Sequence, residues 1–262
     1  MPFDPSRERI GGQIGWVCHM SDVLAQVKSQ EWFYEFLLPD GSETKSYIPE
    51  HVRGVHVTRE KALRKYLSEG KGQGKTALDI SCHEGFFSLI LSDYFSTVVG
   101  VDKNEKSLVK ARQVVELFDK PTIQLRHAKL ESLDEKDAAD FVLCYGLLYH
   151  VENPVEVLRS LARITKQSLC IETQVLPFQV SGVIEDGSYG WQRNLQGTFG
   201  VCVDYSDRPE GGVTDIALVP SVDALVFILR QFGFSTIELY KPEASDYEQF
   251  VRGHRVILLA QR

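Results

Sequence analysis

"LDISCHEGFFSL", Leu78 to Leu89, is the stretch on which the fold turns. It opens as a short apolar run closed by an acid and resumes, after a polar break, with apolar residues at helical spacing. That pattern reads as a strand, a tight turn and a helix. In an open parallel sheet such a turn lies at the carboxyl edge, where nucleotide-like cofactors are held. Turns of this kind are normally rich in glycine, whereas here Ser81, Cys82, His83 and Glu84 precede a lone Gly85.

Strand-like and helix-like segments alternate outward from this stretch. "TALDI", "STVVGVD", "TIQLRHA", "ADFVLCYG" and "SLCIET" read as strands, and "STIELY" and "HRVILLAQR" close the chain as two more. Between them, "NEKSLVKARQVVELF" has Asn104 as its N-cap, "NPVEVLRSLARIT" has Asn153 as cap with Pro154 at the first position, and "SVDALVFILRQFGF" starts at Ser221 and stops at Gly233. Leu108, Ala111, Val115 and Phe118 form one inward stripe. Val155, Leu158, Leu161 and Ala162 form another. Near-continuous apolar strands joined by helices predict an α/β fold: a Rossmann-like, mostly parallel seven-stranded sheet with helices on both faces. No strong helix separates the last two strands, so a reversed edge strand is expected.

Two regions fall outside that alternation. Residues 1–74 read as a small N-terminal appendage or cap, with a Pro39-Asp40-Gly41 turn between two strand-like segments and a helix from Thr58; residues 75–262 form the core. Residues 174–220 are an insertion carrying Phe178, Tyr189, Trp191, Phe199 and Tyr205 among glycines and polar residues. Its length and its aromatics suggest a lid over a bound acceptor.

Composition narrows the function. With 43% apolar and 25% charged residues in 262, the chain is an ordinary globular protein, and its apolar runs are too short for a membrane span. "MPFDPSRERIGG" has no apolar centre like that of a signal peptide, which suggests a cytoplasmic protein. The five cysteines, Cys18, Cys82, Cys144, Cys170 and Cys202, show neither disulfide nor zinc spacing, and Cys144 and Cys170 read as buried small hydrophobes. The histidines His19, His51, His56, His127 and His254 share no metal-binding helix, so no metal is expected. A net charge of −7 disfavours broad attraction to nucleic acid and favours small substrates.

The predicted crevice is lined by Asp79 to Gly85, by Asp102 at the end of the second core strand, and by Tyr145 to His150 after the fourth. A carboxylate at Asp102 suits a ribose diol. Together with "VVGVDKNEKSLVKAR", "ADFVLCYGLLYHVENPVEVLRSLARIT" and the terminal "GF" before two strands, the opening stretch resembles the class I methyltransferases that use S-adenosylmethionine. The resemblance covers about Lys75 to Arg262. It implies Asp79 near the cofactor's amino group, the Ser81 to Gly85 loop with Phe86 beside its carboxylate and sulfonium, Asp102 with Lys103 at the ribose, and Tyr145 at the crevice.

Two departures accompany the resemblance. Ser81 and His83 stand where a dinucleotide site needs glycines to admit a pyrophosphate. S-adenosylmethionine has none, and the Ser81 hydroxyl and His83 imidazole are able to bond its carboxylate instead. After the third strand, Ala128 and Lys129 occupy the place where many members carry an adenine-binding acid, so a backbone amide there is expected to do that work; Glu131 lies further on.

"GLLYHVENPVEVL" with "LCIET" resembles the branch that includes the tRNA wobble-uridine carboxymethyltransferases and many enzymes of small-molecule metabolism. Tyr149 matches a tyrosine of that branch, while the accompanying cationic residues are not identifiable in the sequence. The favoured expectation is methyl transfer to an oxygen or nitrogen of a small-molecule metabolite. The alternatives are a tRNA-modifying enzyme and a non-catalytic scaffold. His150 is the candidate general base, with a packing role as the other reading, and Tyr149 lines the methyl's path. Trp191, Arg193 and Asn194 are the candidate acceptor-binding residues of the lid. The appendage either covers the crevice or pairs with another copy as a homodimer.

Overall fold

A computed structural model describes residues 20–72, 74–187, 190–207, 212 and 214–262. Residues 1–19 of the expected appendage, with Cys18 and His19, and Tyr189 of the insertion lie outside the described residues.

A helix at 20–28, α1, leads to two short strands, β1 (Glu31–Trp32) and β2 (Lys45–Ser46), and to α2 (Glu50–Ser68). The core continues through β3 (Thr76–Ile80), α3 (Phe86–Leu91), β4 (Thr97–Asp102), α4 (Glu105–Leu117), β5 (Ile123–His127), β6 (Ala139–Tyr145), α5 (Pro154–Arg163) and β7 (Thr165–Gln174). Then come β8 (Ser181–Asp186), β9 (Trp191–Gln196), β10 (Phe199–Val203), β11 (Ile216–Pro220), α6 (Val222–Gln231), β12 (Thr236–Leu239), α7 (Glu248–Val251) and β13 (Arg255–Gln261).

Seven strands pair in the order β12-β13-β7-β6-β3-β4-β5. The order reverses between β6 and β4 around β3, which puts the crevice at the carboxyl end of β3. β3 to β7 run parallel, whereas β13 is antiparallel to both β7 and β12. The reversed strand is therefore β13, one place in from the edge that β12 occupies. Among the described residues no helix is long and apolar enough to cross a membrane.

The helix ends follow from their caps. The side chains of Asn104, Asn153 and Ser221 accept the amides of Lys106, Glu156 and Ala224, satisfying donors that the first turns of α4, α5 and α6 leave unpaired. Strands of the central sheet alternate their side chains between its two faces. Phe141 and Leu143 of β6 join α2, α3, α4 and the appendage on one side, while Val142 and Cys144 join α5 and α6 on the other. Cys144 and Cys170 are fully buried free thiols. The Pro39-Asp40-Gly41 turn forms, with Gly41 at φ +81°, but the flanking strands shrink to two residues each and pair in parallel. α2 starts at Glu50 rather than Thr58.

One face of β7 and β13 carries charge where the apolar pattern would continue. Glu172 of β7 has no solvent exposure and accepts both Arg59 of α2 and Arg255 of β13, the latter at 2.6 Å. Burial alone would push the Glu172 carboxyl up, but the two guanidiniums outweigh it and hold it below the ordinary carboxylate range. This ion triad joins the appendage to the sheet. Replacing Glu172 by Gln leaves two buried guanidiniums without a counter-charge, and urea unfolding is expected to show a loss of about 3–5 kcal/mol. A loss below about 1 kcal/mol would mean that water reaches the triad.

Candidate active site

A cavity of about 520 Å³ opens at the carboxyl ends of the parallel strands. That size is within the range of pockets that enclose a small ligand. Of the residues expected at the site, the structure brings together around it Ser81, His83, Asp102, Lys103, Ala128, Lys129, Tyr145, Tyr149 and His150.

The loop after β3 keeps the backbone of a glycine-rich turn without its glycines. Ser81 has φ +60°, His83 φ +51° and Gly85 φ +80°. A left-handed residue with a Cβ costs on the order of 1–2 kcal/mol, so two of them persist only where neighbours over-determine the turn. Asp102 supplies one such constraint: its Oδ2 accepts the His83 amide at 2.8 Å, and its Oδ1 accepts the Asn104 amide at 2.7 Å. At Gly85 a Cβ would sit 3.3 Å from that of Ala111, so glycine is kept where α3 meets α4. The His83 ring leans on Phe33, with centroids 4.8 Å apart, and does not plug the cavity.

Three expected cofactor residues lie elsewhere. Asp79 points to the α3 side of the sheet, accepts Ser88 Oγ at 2.7 Å and stands outside the cavity lining. Gly85 and Phe86 are likewise behind the loop, and Phe86 stacks on Tyr34 at 4.9 Å. The Ala128 amide already donates to the Asp102 carbonyl at 3.0 Å, so it is not the free amide anticipated for adenine.

The insertion is not a loop but two antiparallel pairs, β8 with β9 and β10 with β11. Trp191, Arg193 and Asn194 lie on β9, are exposed, and do not reach the cavity. The correction has a simple cause: a two-stranded ribbon alternates its side chains and projects from the core, so most of its residues meet solvent. The insertion contributes Asp204 instead. Its Oδ1 lies 2.6 Å from His150 Nδ1, and its Oδ2 accepts the Gly212 amide. With a carboxylate at Nδ1, that nitrogen carries the proton and Nε2 keeps its lone pair. Burial lowers the His150 pKa, while the Asp204 contact works in the other direction.

Sequence reading allowed the appendage to cover the crevice but named none of its residues there. Phe33, Tyr34 and Arg59 line the cavity, and Gly146 lies close enough to Arg59 that a Cβ there would be 3.2 Å from Nη2. Tyr149 stands between two guanidiniums: its hydroxyl is 3.5 Å from Arg59, and Arg255 lies 4.7 Å over its ring. Arg59 Nε is buried with no partner among the described residues. A signal for Arg59 was available, because it falls on the inward stripe of α2 with Val55, Ala62 and Tyr66, where an arginine needs a reason. Behind the wall, burial pushes His56 down to about 2, a neutral ring packed on Phe33 and Tyr34.

Residues 78–168 match a family described as a methyltransferase domain. The tRNA U34 carboxymethyltransferase of Pseudoalteromonas atlantica is 25% identical over 200 residues, which are 73% of this chain and 55% of that protein. The ubiquinone biosynthesis O-methyltransferase of Paracidovorax citrulli is 34% identical over 96 residues, covering 36% of this chain and 40% of the relative. The chain thus spans about half the length of the curated relatives it matches. Among solved structures, the N-terminal domain of EvdMO1, crystallised in the presence of SAH and D-fucose, aligns with TM-score 0.63 at 20% identity over 88% of this chain and 91% of that one. Magnesium protoporphyrin IX methyltransferase from Synechocystis PCC 6803, with bound SAM, aligns with TM-score 0.54 at 16% identity over 83% and 86%. Residues 78–168 thus match a methyltransferase domain, within a fold shared with proteins crystallised with SAM or SAH.

Asp79 gives this core a pH signature. Burial, reinforced by Asp102, pushes its carboxyl up to about 7, against the opposing bond from Ser88. Between about pH 4 and 7 the folded protein retains a proton that the unfolded chain has released, so stability falls as pH rises through that window. Asp79→Asn removes the ionisation. In urea unfolding, the stability of the variant relative to the parent is expected to rise by about 3 kcal/mol from pH 5 to pH 8. A pH-independent difference would contradict the raised pKa.

Proposed function

We propose that the protein transfers a methyl group from S-adenosylmethionine to an oxygen or nitrogen of a small-molecule acceptor, with His150 as the base. The observation that carries this reading is the His150–Asp204 pair at the wall of the same cavity that Asp102 lines. The residues suit the cofactor. Asp102 retains acceptor lone pairs beyond its two amide bonds for ribose hydroxyls, and Ser81 and His83 border the space for the amino-acid part. Bound there, S-adenosylmethionine supplies an electrophilic methyl on a sulfonium.

The chain's own contribution is positioning and proton removal. A neutral His150 presents Nε2 to an acceptor O–H or N–H, and Asp204 fixes the ring and stabilises the imidazolium that results. Tyr145, Leu147 and Tyr149 line the cavity, and an acceptor packed against them would leave less space for water.

A second reading follows from a separate observation. Two guanidiniums against one carboxylate leave a net positive charge beside Tyr149, which suits an extra carboxylate on the cofactor and hence carboxymethyl transfer to tRNA wobble uridine. The acidic net charge of −7 favours the first reading.

Calorimetry separates them. S-adenosylmethionine and S-adenosylhomocysteine are both expected to bind, and an absence of heat and of thermal shift with both would remove the enzymatic reading altogether. Tighter binding of carboxy-S-adenosylmethionine, lost in Arg59→Met, together with salt-dependent retention of bulk tRNA on filters, would select the second. Asp102→Ala is expected to weaken S-adenosylhomocysteine binding by about 10- to 100-fold, the loss of a charged hydrogen-bond acceptor. His150→Ala is expected to lower turnover, followed as S-adenosylhomocysteine release, by about 100-fold or more with cofactor affinity held within about threefold. Asp204→Asn should shift the acid limb of the pH–rate profile to lower pH, because the group that raises the His150 pKa is gone.

A further inference from the structure

Glu84 sits in the cofactor loop at a place where a small residue would suffice, yet its carboxylate is 1% exposed and points away from the cavity into the N-terminal segment. Its Oε2 accepts the backbone amides of Phe33 at 2.7 Å and Tyr34 at 3.3 Å. Its Oε1 accepts Lys110 of α4 at 3.0 Å, and the same ammonium lies 5.1 Å over the Trp32 ring. A buried carboxylate without such donors would be strongly disfavoured, so the four groups hold one another in place. The strands of the segment add little of their own, because β1 and β2 are two residues each; beside the packing of Trp32, Tyr34 and Phe36 in the core, Glu84 is what fixes the Phe33 and Tyr34 amides to the cofactor loop.

The amides that Glu84 holds belong to the two residues whose rings form one wall of the cavity. Phe33 also packs on His83 of the loop that carries Glu84, and Tyr34 stacks on Phe86, the first residue of α3 just after it, at 4.9 Å with planes 13° apart. On the other side of that loop, the His83 amide is held by Asp102 Oδ2. Two sets of hydrogen bonds, Asp102 to the His83 amide and Glu84 to the Phe33 and Tyr34 amides, are thus joined through the 83–84 peptide link.

We propose that Glu84 is the positioning residue of an acceptor-facing wall formed by Phe33 and Tyr34, and that it ties this wall to the cofactor loop so that loading the cofactor sets the wall. The proposal rests on the cofactor reading above and adds to it an order of events: ordering of the 81–85 turn by ligand precedes and promotes a defined acceptor surface. A cofactor-loop side chain then serves the acceptor rather than the cofactor.

Amide hydrogen exchange on the full chain, with and without S-adenosylhomocysteine, tests this without knowledge of the acceptor. In the parent, ligand is expected to slow exchange both in the 81–85 turn and at Phe33 and Tyr34. In Glu84→Ala, protection of the turn and affinity for S-adenosylhomocysteine persist within about threefold, while ligand-dependent protection at Phe33 and Tyr34 disappears and their exchange without ligand rises about tenfold or more. Glu84→Gln, which keeps an acceptor oxygen for the amides, restores part of that protection and serves if the alanine variant fails to fold.

Unchanged ligand-dependent protection at Phe33 and Tyr34 in Glu84→Ala would overturn the proposal. An affinity loss as large as that in Asp102→Ala would do the same, by placing Glu84 in the cofactor site. If the parent binds no S-adenosylhomocysteine the cofactor reading fails and the ordering by ligand fails with it, whereas the exchange difference without ligand still decides whether Glu84 holds the wall.

Discussion

Glu172 is a carboxylate with no contact to solvent, and three parts of the chain converge on it: α2 through Arg59, β13 through Arg255, and the turn after β6, whose Gly146 amide donates to the Glu172 carbonyl at 3.2 Å. A charge in that position is tolerated only when its partners are held in good geometry. The requirement propagates outward. Holding Arg59 in place fixes the face of α2 that turns to the sheet; Arg59 in turn crowds residue 146, where φ is +76° and a Cβ would meet Nη2 at 3.2 Å. Tyr149 is gripped between the two guanidiniums, so the turn that carries it and His150 is positioned by the same ion triad. Cavity, appendage and sheet are built around one buried charge.

The cofactor loop illustrates a different constraint, that of backbone shape over side-chain identity. Ser81 and His83 adopt the left-handed conformation that glycine would take without strain. The turn is kept because Asp102, the Gly85–Ala111 approach and the Phe33 ring specify it together. The side chains that replace glycine are not idle. His83 meets the aromatic wall, and Glu84 reaches behind it to the amides of Phe33 and Tyr34. What reads in sequence as erosion of a glycine-rich motif is, in three dimensions, the attachment point of the N-terminal segment.

Much of the scaffold was legible because it depends on local rules. Asn104, Asn153, Pro154, Ser221 and Gly233 mark helix ends by groups that act within a few residues, and strands such as "FVLCY" announce burial on both faces by continuous apolarity. Asp102, Tyr149 and His150 were legible as crevice residues because the carboxyl ends of parallel strands must converge at the switch in strand order. The lid assignment fared differently. The position of Trp191, Arg193 and Asn194 in the aromatic insertion singled them out, but both faces of β9 there meet solvent, while the pairing of β10 with β11 brings Asp204 to His150. Asp79 was misplaced for a related reason: alternation along β3 directs it to the α3 face, opposite Leu78 and Ile80.

By itself the sequence determined the order of the core strands and main helices, the parallel sheet and the edge at which a nucleoside cofactor has its place, since these follow from periodicity, caps and chain connectivity. Tertiary structure alone decided that Arg59, Glu172 and Arg255 share one buried site, that Asp204 backs His150, and that Glu84 holds Phe33 and Tyr34. The bonded pairs are 113 and 83 positions apart in the first case, 54 in the second, and 51 and 50 in the third. Contacts of that span are chosen by which faces of distant elements pack together, and a linear pattern carries no record of that choice.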